Sequence, residues 1–497
     1  MLRPCPSLPA ARRWLALAAL LAPAAAGAAA ERPATPPRLA FIECRLEHPG
    51  LPSFAARCAH LSVPEDPAAP AGRQIALAVA LIPALDARGH RPPLFIVAGG
   101  PGQSAGDFYA AFAAAFAPTA RSRDIVLVDQ RGTGGSNRLV CDFPDDFGVV
   151  SPPPAELRAL SAKCRAGLTG RPEFYTTSVA VRDLEAARLA MRYERIALYG
   201  ISYGTRVVEH YLRRYGAHAS AVVLDGVVPP DKVLGPDTPL DAERALQLMF
   251  KRCAADAGCA GAFPALEPRF RALLAALERK PQQATVPDPS TQQPRSVLFD
   301  REQFTGAIRL LNYYSVTTAM LPYLIDRASK GDFAPLAADL LIVSSHLDEQ
   351  LAYGMNAAVS CAEDVPGFVG VDRAPLAGTY LGASQLDELE TLCEGWPKGV
   401  VDADLFEPLH SPVPALLLSG EADPVTPPAA AERAARGLSD VLSITVAGQG
   451  HGQIATGCAP QLVADFLAAG TGRGLDASCL NAVGPVPFVL GPNGPAP

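Results

Sequence analysis

Short runs of consecutive apolar residues alternate along this chain with longer stretches whose apolar positions recur every three or four residues. Residues 93–98 (PLFIVA), 124–129 (DIVLVD), 195–199 (RIALY) and 221–226 (AVVLDG) are of the first kind. Runs so short and so uniformly apolar read as strands buried on both faces. Residues 181–191 and 205–212 are of the second kind and predict helices packed on that sheet. Alternating strands and helices imply a mostly parallel sheet with helices on both faces and right-handed crossovers. Ahead of this pattern, residues 58–64 and 74–82 read as a hairpin. After Pro229 and Pro230 the alternation stops: residues 231–410 are mainly helical in pattern, 242–250 most clearly, with a polar, proline-rich segment at 281–294. Strand patterns resume at 413–418 and 442–446, and residues 460–469 read as a closing helix. The predicted organisation is an α/β core in two parts, 31–230 and 411–497, separated by an inserted helical cap at 231–410.

The first thirty residues follow another rule. Arg3, Arg12 and Arg13 precede an apolar run from Trp14 to Leu21, and Ala26-Gly27-Ala28 offers a small-residue cleavage site. This predicts a secretory signal peptide over 1–30; Pro23 interrupts the run, which is too short for a membrane span. Removal of that segment deepens the formal charge from −7 to −10, which gives no electrostatic footprint for nucleic acid. The predicted location is periplasmic or extracellular. Of eleven cysteines, Cys5 leaves with the leader. The remaining ten invite nearest-neighbour disulfides, 44 with 58, 141 with 164, 253 with 259, 361 with 393 and 458 with 479, as suits an exported chain. With no C-x-x-C and no histidine pair at ligand spacing, neither a metal nor a cofactor is expected.

The chemistry centres on Gly200-Ile201-Ser202-Tyr203-Gly204, which follows a strand pattern and opens a helix pattern. That is the context of a G-x-S-x-G nucleophile elbow in an α/β-hydrolase fold. A serine hydroxyl needs a base, and the base an orienting acid, in the chain order Ser, Asp or Glu, His. The last two strand patterns supply both. Asp423 stands in the turn after the first, and His451, of eight histidines, is the one in a glycine-lined loop, 28 residues further on. Asp225 and Glu421 are competing acids; Asp225 reads better as a fixer of local backbone. The glycine cluster at 99–102 directly after a buried strand suits an oxyanion hole built from main-chain N–H groups.

Together Gly99-Gly100-Pro101-Gly102, Asp129-Gln130-Arg131-Gly132-Thr133-Gly134, the elbow with Thr205, Asp423-Pro424-Val425-Thr426 and Gly450-His451-Gly452 resemble the proline iminopeptidase group of α/β-hydrolases, in its exported, tripeptidyl-aminopeptidase-like branch. The resemblance runs from about Cys58 to Cys479. It implies a triad of Ser202, Asp423 and His451, with the backbone N–H groups of Gly100 and Tyr203 as the oxyanion hole. It further implies release of one residue or three from peptides with a free amino terminus, whose ammonium meets cap carboxylates, with Glu363 and Asp364 as candidates. Tyr313 and Tyr314 are candidates for the pocket wall, and Asp129 and Arg131 for a structural turn. One position departs from the pattern: Ala98 stands where proline iminopeptidases carry histidine before the glycines, which argues against strict proline release. Two other functions share these residues, an esterase with the same triad and a non-catalytic binding protein on a hydrolase scaffold. The intact order of serine, acid and histidine argues against the latter.

Overall fold

In the computed structural model, which describes residues 38–494 apart from 48–52, 87, 89, 90 and 145–151, the apolar runs become a nine-stranded sheet. Its strands are β1 (Ile42–Leu46), β2 (Phe54–Pro64), β3 (Gln74–Ile82), β4 (Leu94–Val97), β5 (Ile125–Val128), β6 (Ile196–Ile201) and β7 (Ala219–Asp225). After β8 (Gln282–Pro287) and β9 (Pro294–Phe299), which stand apart, β10 (Ala415–Gly420) and β11 (Val441–Val446) complete it. The spatial order is β1-β2-β3-β5-β4-β6-β7-β10-β11. β1, β2 and β3 pair antiparallel, β3 pairs antiparallel with β5, and every pair from β5 onward is parallel.

β4, β5, β6 and β10 are buried at every position. Their side chains feed a core on each face, Phe95, Leu198 and Leu417 on one and Ile96, Tyr199 and Leu418 on the other. Helix Ala105–Ala120 covers the second face and helices Thr177–Ala190 and Tyr203–Tyr215 the first. Chain order reverses direction around β4, so the loops after β4 and β6 meet at the carboxyl ends of neighbouring strands. That is where open parallel sheets bind their ligands.

Residues between β7 and β10 add no strand to the main sheet. They form a third core of their own around Phe250, Phe270, Phe304 and Leu324. One part of this stretch differs from the sequence reading: the proline-rich segment is an antiparallel hairpin of β8 and β9, in register from Gln282 with Phe299 to Pro287 with Pro294. Its alternation is the reason, since Ala284, Val286, Val297 and Phe299 point inward while Thr285 and Leu298 between them face out.

All five nearest-neighbour disulfides are closed. No described helix is long and apolar enough to cross a membrane. The signal-peptide reading of residues 1–30 lies outside the described residues. Intact mass after alkylation under denaturing, non-reducing conditions is expected to show no modified thiol in the mature protein. Two or more alkylated cysteines would break the pairing.

Candidate active site

Between the last residue of β6 and the first of helix Tyr203–Tyr215 stands Ser202, with φ 55° and ψ −128°, a region that side chains rarely occupy. The surroundings hold it there. Its N–H donates to the Asp225 carbonyl at 2.9 Å, and its own carbonyl accepts from Thr205 N at 2.9 Å and Thr205 Oγ1 at 2.7 Å. Both glycines of the turn are obligatory by contact: a Cβ on Gly200 would lie 2.5 Å from the Gly204 carbonyl oxygen, and one on Gly204 would overlap the carbonyls of Val97 and Ala98. Helix and strand thus approach too closely for any side chain at either position, and Ser202 alone is left half exposed among buried neighbours.

β10 and β11 deliver the acid and the histidine. Asp423, fully buried, accepts His451 Nδ1 at 2.7 Å through Oδ2. Val425 N and Thr426 N donate to its Oδ1 at 2.8 and 2.9 Å, and Thr426 Oγ1 donates to Oδ2 at 2.8 Å. Burial pushes this carboxyl up, but His451 and these donors outweigh it and hold Asp423 below the usual range. Burial likewise opposes a charged His451, yet the adjacent Asp423 carboxylate wins and raises the imidazole above its ordinary 6.5. With Nδ1 engaged, Nε2 is the nitrogen available to take a proton.

The residue after the histidine, Gly452, packs against Ile201, the residue before the serine. Asp225 fixes this loop from below: its carboxylate accepts Gln453 N at 2.7 Å, Ile454 N at 2.8 Å and Tyr199 Oη at 2.8 Å. Among the described residues no hydrogen bond joins Ser202 Oγ to His451. In free hydrolases this contact is often long and tightens when substrate binds.

Gly99 packs directly on Ser202, a Cβ there falling 3.0 Å from the serine Cβ. The N–H groups of Gly100 and Tyr203 find no acceptor among the described residues. The loop that carries Gly100 is held by the insertion: Ala352 N donates to Gly102 O at 3.0 Å, Asn356 Nδ2 to Pro101 O at 2.9 Å and Gln103 Nε2 to Gln350 Oε1 at 2.9 Å. Two fixed, unengaged N–H groups beside a protruding hydroxyl are what a developing oxyanion requires.

Glu363 and Asp364 do not present a free carboxylate to this site, which corrects the reading of the pair as an ammonium receptor. Both are buried and face Arg206, itself 1% exposed on helix Tyr203–Tyr215. Arg206 reaches Asp364 Oδ1 at 2.8 Å and Oδ2 at 3.2 Å, and Glu363 Oε2 at 3.4 Å. Leu234 N fills Asp364 further, and Thr177 N and Oγ1 fill Glu363. The physical cause is Arg206: a guanidinium inside a core demands counter-charges, and these two acids supply them. Burial pushes Glu363 up to about 7 even so.

Tyr313 does reach the site, its ring meeting His451 edge-on with centroids 5.6 Å apart, whereas Tyr314 is 53% exposed beside it. Asp129 and Arg131 are structural. Asp129 accepts Gly106 N and Gly135 N, while buried Arg131 pairs with Asp183 at 2.7 and 2.8 Å. Sequence reasoning missed Arg206 and Thr426. The signal for the first was present: charged residues in a helix placed between strands of a buried sheet need buried partners.

A family model described as the alpha/beta hydrolase fold matches residues 92–457. Among similar proteins, a carboxylesterase B of Mycobacterium tuberculosis is 30% identical over 470 residues, 84% of this chain and 85% of that protein. The serine protease Hip1 of the same organism is 26% identical over 88% of this chain and 90% of its own length. A tripeptidyl aminopeptidase of Streptomyces lividans is 33% identical over 193 residues, 35% of this chain and 36% of that protein. Among solved structures, a proline iminopeptidase of Mycobacterium smegmatis aligns over 82% of this chain and 98% of its own at 17% identity, with a TM-score of 0.40.

Two outcomes follow from the electrostatics. A base whose free-enzyme value is raised is protonated and idle until the pH exceeds that value, so the acid limb of the kcat/KM profile should have its midpoint above 6.5. A midpoint well below 6.5 would show that Asp423 does not support His451. Replacement of Arg206 by alanine leaves two buried carboxylates without a cation and should cost about 3–5 kcal/mol in urea unfolding; an unchanged midpoint would contradict the pairing.

Proposed function

The chain belongs to the α/β-hydrolase fold family, and from that premise we propose that it is an exported serine peptidase that releases short amino-terminal units from peptides. Ser202 is the nucleophile: its Oγ bonds to the scissile carbonyl carbon as His451 Nε2 takes the hydroxyl proton, and the N–H groups of Gly100 and Tyr203 receive the oxyanion. The protonated His451 then gives that proton to the departing amine as the C–N bond breaks, leaving an acyl-enzyme. Water repeats the sequence in reverse, losing its proton to His451 and freeing Ser202. Asp423 keeps the imidazole in one tautomer and balances its charge in both halves.

The observation that carries the chain-end reading is that the insertion between β7 and β10 touches the site from two sides. Its Leu351 and Ala352 lie on the oxyanion loop, and the Tyr313 carbonyl accepts the His451 N–H at 2.7 Å. A site bridged in this way admits a chain end more readily than the middle of a strand. The protease and aminopeptidase names among the relatives agree with peptides as substrate. The five disulfides suit an exported protein.

A second reading has its own support, since the relative named carboxylesterase B is matched over most of both chains. Triad chemistry alone does not separate ester from amide. Peptides lengthened one residue at a time on the amino-terminal side separate them. A peptidase specific for chain ends should lose kcat/KM sharply beyond one length. Equal cleavage at every length would mean an endopeptidase, and turnover of simple esters without any peptide would mean an esterase. In either active case Ser202→Ala should lower kcat by about a million-fold and Asp423→Asn by about ten thousand-fold. If Asp225→Asn were the crippling change instead, Asp423 would be the wrong acid.

A further inference from the structure

Beside the proposed base stands a cation with no counter-ion among the described residues. Arg309, in the last turn of helix Arg301–Leu311, is partly buried and makes one side-chain hydrogen bond, Nη2 to Tyr313 Oη at 3.0 Å. Its Nε is buried without an acceptor, and no carboxylate among the described residues pairs with it. The guanidinium carbon lies 5.4 Å from the centre of the Tyr313 ring. That ring in turn packs 5.6 Å from the imidazole of His451. The stack is fixed in place, because the Tyr313 carbonyl accepts from His451 N at 2.7 Å and a Cβ on Gly450 would collide with the same carbonyl.

This arrangement carries two penalties in the absence of a ligand. An unmet buried donor is costly, and a positive charge near His451 opposes the imidazolium that forms when the serine gives up its proton; Arg309 does pull His451 downward. Tyr380 Oη, whose ionisation feels the charge of Arg309, is likewise buried without a partner, as is Asn312 Nδ2 three residues further along the chain. A partly buried guanidinium with no carboxylate beside it is a site at which an anion is stabilised. An anionic substrate group would relieve the cation and restore support for the imidazolium at the moment of reaction.

The side of the site on which Arg309 lies identifies that group. The oxyanion loop is on one flank of Ser202 and His451 on the other, and the leaving amine takes its proton from His451, so the departing fragment lies towards Tyr313 and Arg309. The two spacings, 5.6 and 5.4 Å, set the greatest separation of Arg309 from the imidazole at the reach of about two or three extended residues at about 3.3–3.6 Å each. We propose that Arg309 binds the terminal carboxylate of the leaving fragment, so that the substrates are short peptides ending two or three residues beyond the cleaved bond. The proposal rests on the peptidase reading above and narrows it from any chain with a suitable amino end to small oligopeptides.

The test uses pairs of peptides with the same amino-terminal part and leaving fragments of one, two, three and ten residues, each as free carboxylate and as carboxamide. For fragments of two or three residues the mature wild-type enzyme should prefer the carboxylate by about ten- to a hundredfold in kcat/KM, and the preference should vanish at ten. In Arg309→Gln the ratio should fall to near one, and in Arg309→Lys it should be partly retained. Because each ratio compares two substrates on one protein, a general loss of folded enzyme cancels. Peptides cleaved with no preference in the wild type, or a preference that survives Arg309→Gln, would overturn the role of Arg309 and leave the peptidase reading standing. Ester turnover with no cleavage of any peptide would overturn both.

Discussion

A serine held at φ 55° is the constraint from which the rest of this molecule follows. The turn stores strain that a lone loop would release, so its neighbours must over-determine it. Strand β4 presses its last carbonyls against Gly204, the Asp225 carbonyl takes the serine N–H, and Gly99 closes on the serine Cβ. These contacts come from the ends of the two strands that flank β6, namely β4 and β7. The parallel sheet is therefore the device that gathers β4, β6 and β7 tightly enough to hold one residue in an unfavourable conformation with its hydroxyl outward.

The helix that starts at this turn creates the second demand. Its first ten residues are buried, Arg206 and Glu209 among them. A guanidinium in that position is tolerated only with charges and carbonyls around it, and it finds Asp364, Glu363 and the Lys232 carbonyl. Both acids belong to a short segment beside Cys361, which is tied to Cys393. One buried ion cluster thus fastens the long insertion to helix Tyr203–Tyr215, and through Thr177 Oγ1, which meets both Glu363 and Tyr203 Oη, to the residue next to the serine. The cluster that appeared from sequence to be a receptor for a substrate amine is a joint between two parts of the fold.

Most of the core was legible because its signals are local. The runs at 93–98, 124–129 and 195–199 are short, apolar and followed by glycine or by helical spacing, and each became a fully buried strand. The disulfides were legible from order alone. Less visible was anything that depends on partners distant in sequence. Acidic residues at 363 and 364 look the same whether they face solvent, a substrate or Arg206, which lies 158 positions from Asp364. The β8–β9 hairpin was hidden for a different reason: proline and polar residues obscured a two-residue alternation that becomes meaningful once its inner face has a core to meet.

The two buried aspartates near His451 show how neighbouring strands divide the work of one site. Asp225 ends β7, and Asp423 follows β10, which pairs with β7 in parallel so that Leu418 lies opposite Asp225. Both carboxylates are fully buried, yet burial pushes Asp225 up to about 6 while Asp423 is held below its ordinary range. The difference is what faces them. Asp225 meets backbone N–H groups of Gln453 and Ile454 and a neutral tyrosine hydroxyl, which fix a loop but do not bring a countercharge into contact. Asp423 meets the imidazole itself, with Thr426 and two N–H groups locking its remaining lone pairs. A carboxylate that remains ionised when the imidazole gains a proton is the one that stabilises it. Geometry and charge therefore favour Asp423 for that part, and leave Asp225 to set where the histidine loop stands.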